Sequence, residues 1–223
     1  MENSAKLRPD RIGGPLRVLA VGAHPDDVEL GWGGTLAKLA ASGAAVRAVV
    51  LSRGERGVER GCNLDRMGET REALHRLGID DVRFGDFPDT RFAERLNELI
   101  AFLETQIADF APFRLYTMHG RDRHQDHRTV FDASRVAARS IAEVLLYETP
   151  SSGTDFAPSF FEPVDDYLPA KLDAIAAHES QRSRPYMQPD HLTALARVRG
   201  YQAGHHAGTG ACEAYEIMRL VAA

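Results

Sequence analysis

Cysteine is nearly absent: the 223 residues contain two, Cys62 and Cys212, far apart and without a CxxC companion. This argues against a disulfide scaffold or a thiolate zinc site and leaves reduced thiols as the expectation. Long apolar runs are missing as well. No stretch approaches the roughly 20 apolar residues of a membrane span, and Met1–Pro15 (MENSAKLRPDRIGGP) carries charges without a signal-peptide core, so a cytoplasmic location is expected. There is no excess of positive charge. With a net charge of -5, the overall balance recruits neither nucleic acid nor an anionic membrane. The dinucleotide fingerprint GxGxxG and the P-loop signature are both absent, which weakens a nucleotide-binding reading.

What is present is an alternation of apolar segments. Leu16–Ala23 (LRVLAVGA), Ala45–Leu51, Val82–Phe87, Arg114–Met118 and Val144–Tyr147 read as strands. Helical spacing follows up to Ser42, over Leu64–Leu77, over Phe92–Phe110 and up to Ile141. Such alternation predicts an α/β fold, a Rossmann-like doubly wound and mostly parallel sheet with helices on both faces. After Pro150 the turn-rich SSGTDFAPSFFEPVDDY is expected to cover the sheet edge or rim a pocket, before a helix over Pro169–Ser180. No linker divides the chain, so residues 1–223 are expected to form one domain, with 1–14 as a polar tail.

Two clusters carry chemistry. His24-Pro25-Asp26-Asp27 falls where the first strand ends and a helix begins, the place where open α/β sheets bind ligands. An imidazole and two carboxylates suit zinc, one aspartate binding metal and the other facing a water. His124-Gln125-Asp126-His127 follows the fourth strand; its histidines are spaced for one side of a helical turn, and Asp126 can orient an imidazole. Two histidines and a carboxylate from separate strands make a three-ligand site with a position open for water, as catalytic zinc requires. Either cluster alone would read as a proline turn or solvated surface; their joint occurrence after strands points to metal. Gly31-Trp32-Gly33-Gly34 is read as close helix-to-sheet packing.

The sequence resembles the LmbE-like (PIG-L) family of zinc-dependent N-deacetylases, including N-acetylglucosaminyl deacetylases of low-molecular-weight thiol biosynthesis. The resemblance rests on AHPDDVELGWGGTLAKL, SRGERG at 52–57, FPDTR at 87–91, HQDHRTV at 124–130 and KLDAIAAHESQ at 171–181. It implies one zinc ion per chain held by His24, Asp27 and His127, with Asp26 as general base. It also implies that His124 stabilises the oxyanion or acts as acid and that Asp126 orients a histidine. The implied reaction removes an N-acetyl or other acyl group from a small amino-sugar molecule or glycoconjugate, and trimers or hexamers occur among similar proteins. Gly61-Cys62-Asn63-Leu64 interrupts a stretch that often holds Thr and Pro, putting substrate contacts there in doubt.

Other residues receive plainer readings. Arg53, after the second strand, is a candidate substrate contact. Arg60, Arg66 and Arg71 alternate with Glu59, Glu69 and Glu72 and read as solvated surface. Glu29 stays outside the catalytic set, His178 reads as packing or capping, and His205 and His206 lie in a loop that rims a pocket or an oligomer contact. The rival functions are hydrolysis of another amide such as a formamide, a two-metal phosphoesterase, and a non-catalytic nucleotide- or ligand-binding module.

Overall fold

The computed structural model describes residues 14–57 and 65–221; Cys62, Glu59, Arg60, Leu64 and the tail up to residue 13 lie outside them. The apolar segments become β1 (Arg17–Gly22), β2 (Ala45–Val50), β3 (Asp81–Phe84), β4 (Arg114–Met118) and β5 (Glu143–Tyr147). Between and after them come helices α1 (Asp27–Ala41), α2 (Arg66–Arg76), α3 (Leu96–Phe110), α4 (Gln125–Ala137) and α5 (Leu168–Ala176). Three further elements were not legible in the sequence: strand β6 (Phe160–Pro163), helix α6 (Pro189–Gln202) and strand β7 (Cys212–Leu220). The sheet order is β3-β2-β1-β4-β5-β7-β6, with β7 antiparallel to both β5 and β6 and all other pairs parallel.

Each omission has a physical cause. β7 reads CEAYEIMRL, where Glu213 is buried despite its charge and disturbs the alternation a strand should show. β6 is four residues long and ends in Pro163, which an edge strand tolerates. α6 buries Leu192 and Ala196 but leaves Leu195, Val198 and Tyr201 exposed, so it lacks an apolar stripe. The helix expected over Phe92–Phe110 starts as a 3-10 turn, Phe92–Arg95, and the one expected to reach Ser180 stops at Ala176. The helix expected to reach Ile141 stops at Ala137.

β1 is the pivot of the sheet. The chain leaves it for β2 on one side, while β4 pairs on its other side in register, Leu19 against Leu115. Loops leaving the carboxyl ends of β1 and β4 therefore open a crevice between them, at the switch point of the sheet. The strands that build this pivot are buried on both faces and almost wholly apolar, as parallel sheets covered by helices require. Among the described residues, no helix is long and apolar enough to cross a membrane.

α1 is held unusually tightly. A Cβ on Gly31 would lie 2.2 Å from the Tyr147 ring, and one on Gly34 would lie 3.0 Å from Val164; the glycines permit close packing. Trp32 leaves helical geometry (φ -156°, ψ 29°), which frees the amides that follow. Glu213 accepts those of Gly34 and Thr35 at 2.9 and 2.7 Å and also binds Lys171 Nζ at 2.6 Å. It acts as an N-cap supplied from the far end of the sheet. Glu213→Ala would leave buried Lys171 unpaired together with two amides, and is expected to cost about 3–5 kcal/mol, read as a lowered urea midpoint.

Candidate active site

Pro25 stiffens the turn after β1, and Asp26 adopts a left-handed backbone (φ 101°) before α1. For a residue other than glycine that conformation is strained. Asp26 makes no side-chain cap to the helix, while Asp27 Oδ2 accepts from the His24 backbone amide at 2.7 Å. The two aspartates therefore diverge.

Asp27 lies between two imidazoles, with His24 Nδ1 3.3 Å from Oδ2 and His127 Nε2 3.3 Å from Oδ1. The other nitrogen of each ring meets a further carboxylate. His24 Nε2 is 3.1 Å from Asp126 and 3.2 Å from Asp89, and His127 Nδ1 is 3.0 Å from Asp122. A carboxylate behind each imidazole is how proteins orient histidine ligands of a metal. The ring nitrogens of His24, His124 and His127 form one group within 4.8 Å, and His24 forms another with Asp89 and Asp126. His124 caps α4, its Nδ1 accepting from the Asp126 amide at 3.2 Å.

Charge states follow from this geometry. Burial would raise the pKa of Asp27, but the charge of His127 and hydrogen bonds from both imidazoles outweigh it and hold the carboxyl well below its ordinary range. Burial pushes Asp26 up to about 6, helped by the charge of Asp27 and opposed by Arg66, His178 and His24. For Asp122, hydrogen bonds from His127, Ser151 and Thr149 together with the His127 charge overcome burial and depress the pKa. Burial and the charges of His24 and His127 lower that of His124, so it is neutral near pH 7. His127 is raised to about 9 because its acidic partners outweigh desolvation. Five carboxylates (Asp26, Asp27, Asp89, Asp122, Asp126) thus converge on the imidazoles of His24 and His127 and on Arg66, and negative charge is in excess among these contacts once both imidazoles are neutral, as metal ligands must be. A divalent cation offsets that charge, and the oxygen and imidazole donors suit zinc.

These groups form the floor of a cavity of about 410 Å³, walled by residues including Leu30, Gln181, Arg184 and Tyr186. His24, Asp26, Asp27, His124 and His127 all line it, and Asp126 lies beneath, accepting from the amides of Thr90 and Phe92 at 2.6 and 3.3 Å. Arg53 does not reach it. Its side chain is 63% exposed and paired with Asp86 at 3.0 Å. Arg66 corrects the solvated-surface reading: it is buried and donates from Nη2 to Asp26 Oδ2 at 3.1 Å and Pro25 O at 2.7 Å, and from Nη1 to Gly54 O at 2.8 Å. His178 is buried with Nε2 3.2 Å from Glu29. His205 ties its loop to Asp165 at 2.6 Å, and His206 packs near Tyr201.

Asp89 and Asp122 are the site residues that sequence reasoning passed over. Asp89 stood in the quoted segment FPDTR, and Asp122 lies two residues before HQDHRTV. Their signal was an acidic residue in a loop at the carboxyl end of a strand. What hid them was that no spacing rule points to their partners: Asp89 meets His24 and the Arg56 amide from other loops, while Asp122 meets His127 five residues on and the Thr149 and Ser151 hydroxyls from the loop after β5.

Comparison with known proteins gives the family. The family PIG-L, described as GlcNAc-PI de-N-acetylase, matches residues 19–138. The chain belongs to this family. It is 45% identical over 169 residues to the uncharacterized deacetylase YaiS of Escherichia coli K12, spanning 73% of this chain and 90% of that protein. It is 26% identical to the diacetylchitobiose deacetylase of Thermococcus kodakarensis, spanning 87% and 81%. Among solved structures, the 4-carboxy-2-hydroxymuconate hydratase GalB of Pseudomonas putida KT2440 superposes with a TM-score of 0.77 at 20% identity, covering 93% of this chain and 98% of that one. The family fold thus also serves a protein named as a hydratase, so the reaction must be argued from the site.

The carboxylates behind the imidazoles yield a prediction. Asp122→Asn leaves His127 in place but weakens its orienting partner, and is expected to lower the affinity for a divalent cation by about 10–100-fold, measured by zinc titration against a competing chelator.

Proposed function

We propose that the protein is a zinc-dependent hydrolase that removes an N-acetyl group from an amino-sugar compound, with His24, Asp27 and His127 holding the metal. The observation that carries this reading is the Asp27 carboxylate between two imidazoles, each backed by a carboxylate, at the floor of a cavity that also presents Asp26 and His124. The deacetylases named above support the choice of an amide bond and of an amino sugar. Bound there, zinc supplies a water of pKa near 7 and polarisation of the amide carbonyl.

The chain's own residues supply proton transfer and orientation. Asp26, with a pKa of about 6, is a carboxylate at neutral pH and accepts a proton from the attacking water. Arg66, 3.1 Å from its Oδ2, fixes the direction of that carboxylate and leaves Oδ1 for the water. With Nδ1 of His124 committed to the helix cap, the neutral ring carries its proton on Nε2. It therefore stabilises the developing oxyanion as a hydrogen-bond donor rather than as a cation. The proton taken by Asp26 passes to the leaving amine as the carbon–nitrogen bond breaks. Asp126, anchored by two backbone amides, keeps the His24 ring in position.

The test separates the two adjacent aspartates. Asp26→Asn is expected to retain about one zinc per chain while amine release from N-acetylglucosamine derivatives falls by roughly 10²–10⁴-fold. Near-normal release with loss of metal would instead exchange the roles of Asp26 and Asp27. Metal content is read by atomic emission and release by amine derivatisation.

A further inference from the structure

Three arginines at the cavity have no part in the chemistry above. Arg56 comes from the loop after β2, Arg123 from the loop after β4, and Arg184 from the segment between α5 and α6; all three line the cavity. Elsewhere, arginines that hold the fold are matched with acids: Arg47 with Asp81 and Asp109, Arg114 with Glu143, Arg199 with Glu148. Among the described residues, the three at the cavity have no carboxylate partner.

Their contacts orient them without cancelling their charge. Arg123 donates from Nε to Ser151 O at 3.3 Å and from Nη2 to Pro150 O at 3.1 Å, and neutral carbonyls leave the guanidinium fully cationic. Arg184 reaches only Gly57 O, at 3.5 Å. Arg56 is tied to the site through its backbone, whose amide donates to Asp89 at 3.0 Å. The acids lining the same cavity, Asp26, Asp27 and Asp89, are already engaged by Arg66, His24 and His127. In a chain of net charge -5, three exposed guanidinium groups on the rim of one cavity, none paired with a carboxylate among the described residues, form a local positive rim that favours an anion.

We infer that the substrate is anionic: beyond the amide-bearing sugar it carries a phosphate or carboxylate, received by Arg56, Arg123 and Arg184. This rests on the deacetylase reading for the position of the amide at the floor. The cavity, about 410 Å³, lies within the usual range for small-ligand sites of about 300–1,000 Å³.

The zinc-loaded protein is offered three probes: N-acetylglucosamine 1-phosphate, the carboxymethyl glycoside of N-acetylglucosamine, and its neutral methyl glycoside. Thermal stabilisation reports binding and amine release reports turnover. At least one anionic probe is expected to stabilise the protein at a concentration about tenfold below the neutral one, and the advantage is expected to shrink as salt rises. The double variant Arg56→Gln/Arg184→Gln, which removes no carboxylate contact among the described residues, is expected to lose most of that preference. The stronger anionic probe identifies phosphate or carboxylate as the recognised group. Equal or tighter binding of the neutral probe overturns the inference, even when it releases amine and so upholds the deacetylase reading. A salt-sensitive anionic preference with no release from any probe upholds the inference and counts against that reading.

Discussion

Asp27 is buried between His24 and His127, and the rest of the site answers to that placement. A carboxylate removed from water costs several kcal/mol unless charge and hydrogen bonds replace its solvent. Two imidazoles provide the replacement, and they in turn need partners on their outer nitrogens. Asp126 and Asp89 serve one ring, Asp122 the other. Those acids then recruit the amides of Thr90 and Phe92 and the hydroxyls of Thr149 and Ser151. One buried charge thereby fixes the loops that follow β1, β3, β4 and β5.

The sheet explains why four distant loops can serve one carboxylate. β1 and β4 are neighbours at the switch point, so the HPDD and HQDH turns emerge side by side. β5 lies beside β4 and β3 lies two strands from β1, beyond β2, and their loops reach inward with Thr149 and Asp89. This arrangement also accounts for a family fold that accommodates different chemistry, since the loops can change while the strands that aim them stay in register.

Much of this was legible because apolar runs and strand-end polar clusters are local signals. β1 to β5, the helices between them and the two histidine motifs could be found that way. What escaped depends on contacts made at long range. Glu213 is polar in sequence and buried in the fold, because α1 and Lys171 come to it. Arg66 alternates with acids like a surface residue, yet its fork is drawn inward by two carbonyls and Asp26. Arg53, adjacent in sequence to the strand end, turns to Asp86 and solvent instead. Pattern shows where a strand ends; it does not show which side chain in the following loop turns inward.

The Glu213 cap on α1 also bears on the order in which the molecule can be completed. Its acceptor stands 178 and 179 residues beyond the amides it binds. During synthesis from the amino end, β1, β4 and the turns that carry the proposed metal ligands leave the ribosome long before residue 213 does, while domains settle as units only when their long-range contacts are available. The helix that carries Asp27 therefore lacks the Glu213 acceptor for its Gly34 and Thr35 amides until residue 213 has emerged. A nascent chain in that interval holds these acids and imidazoles without the rigidity of the finished sheet, so the geometry of the proposed metal site belongs to the completed sheet rather than to the motifs alone.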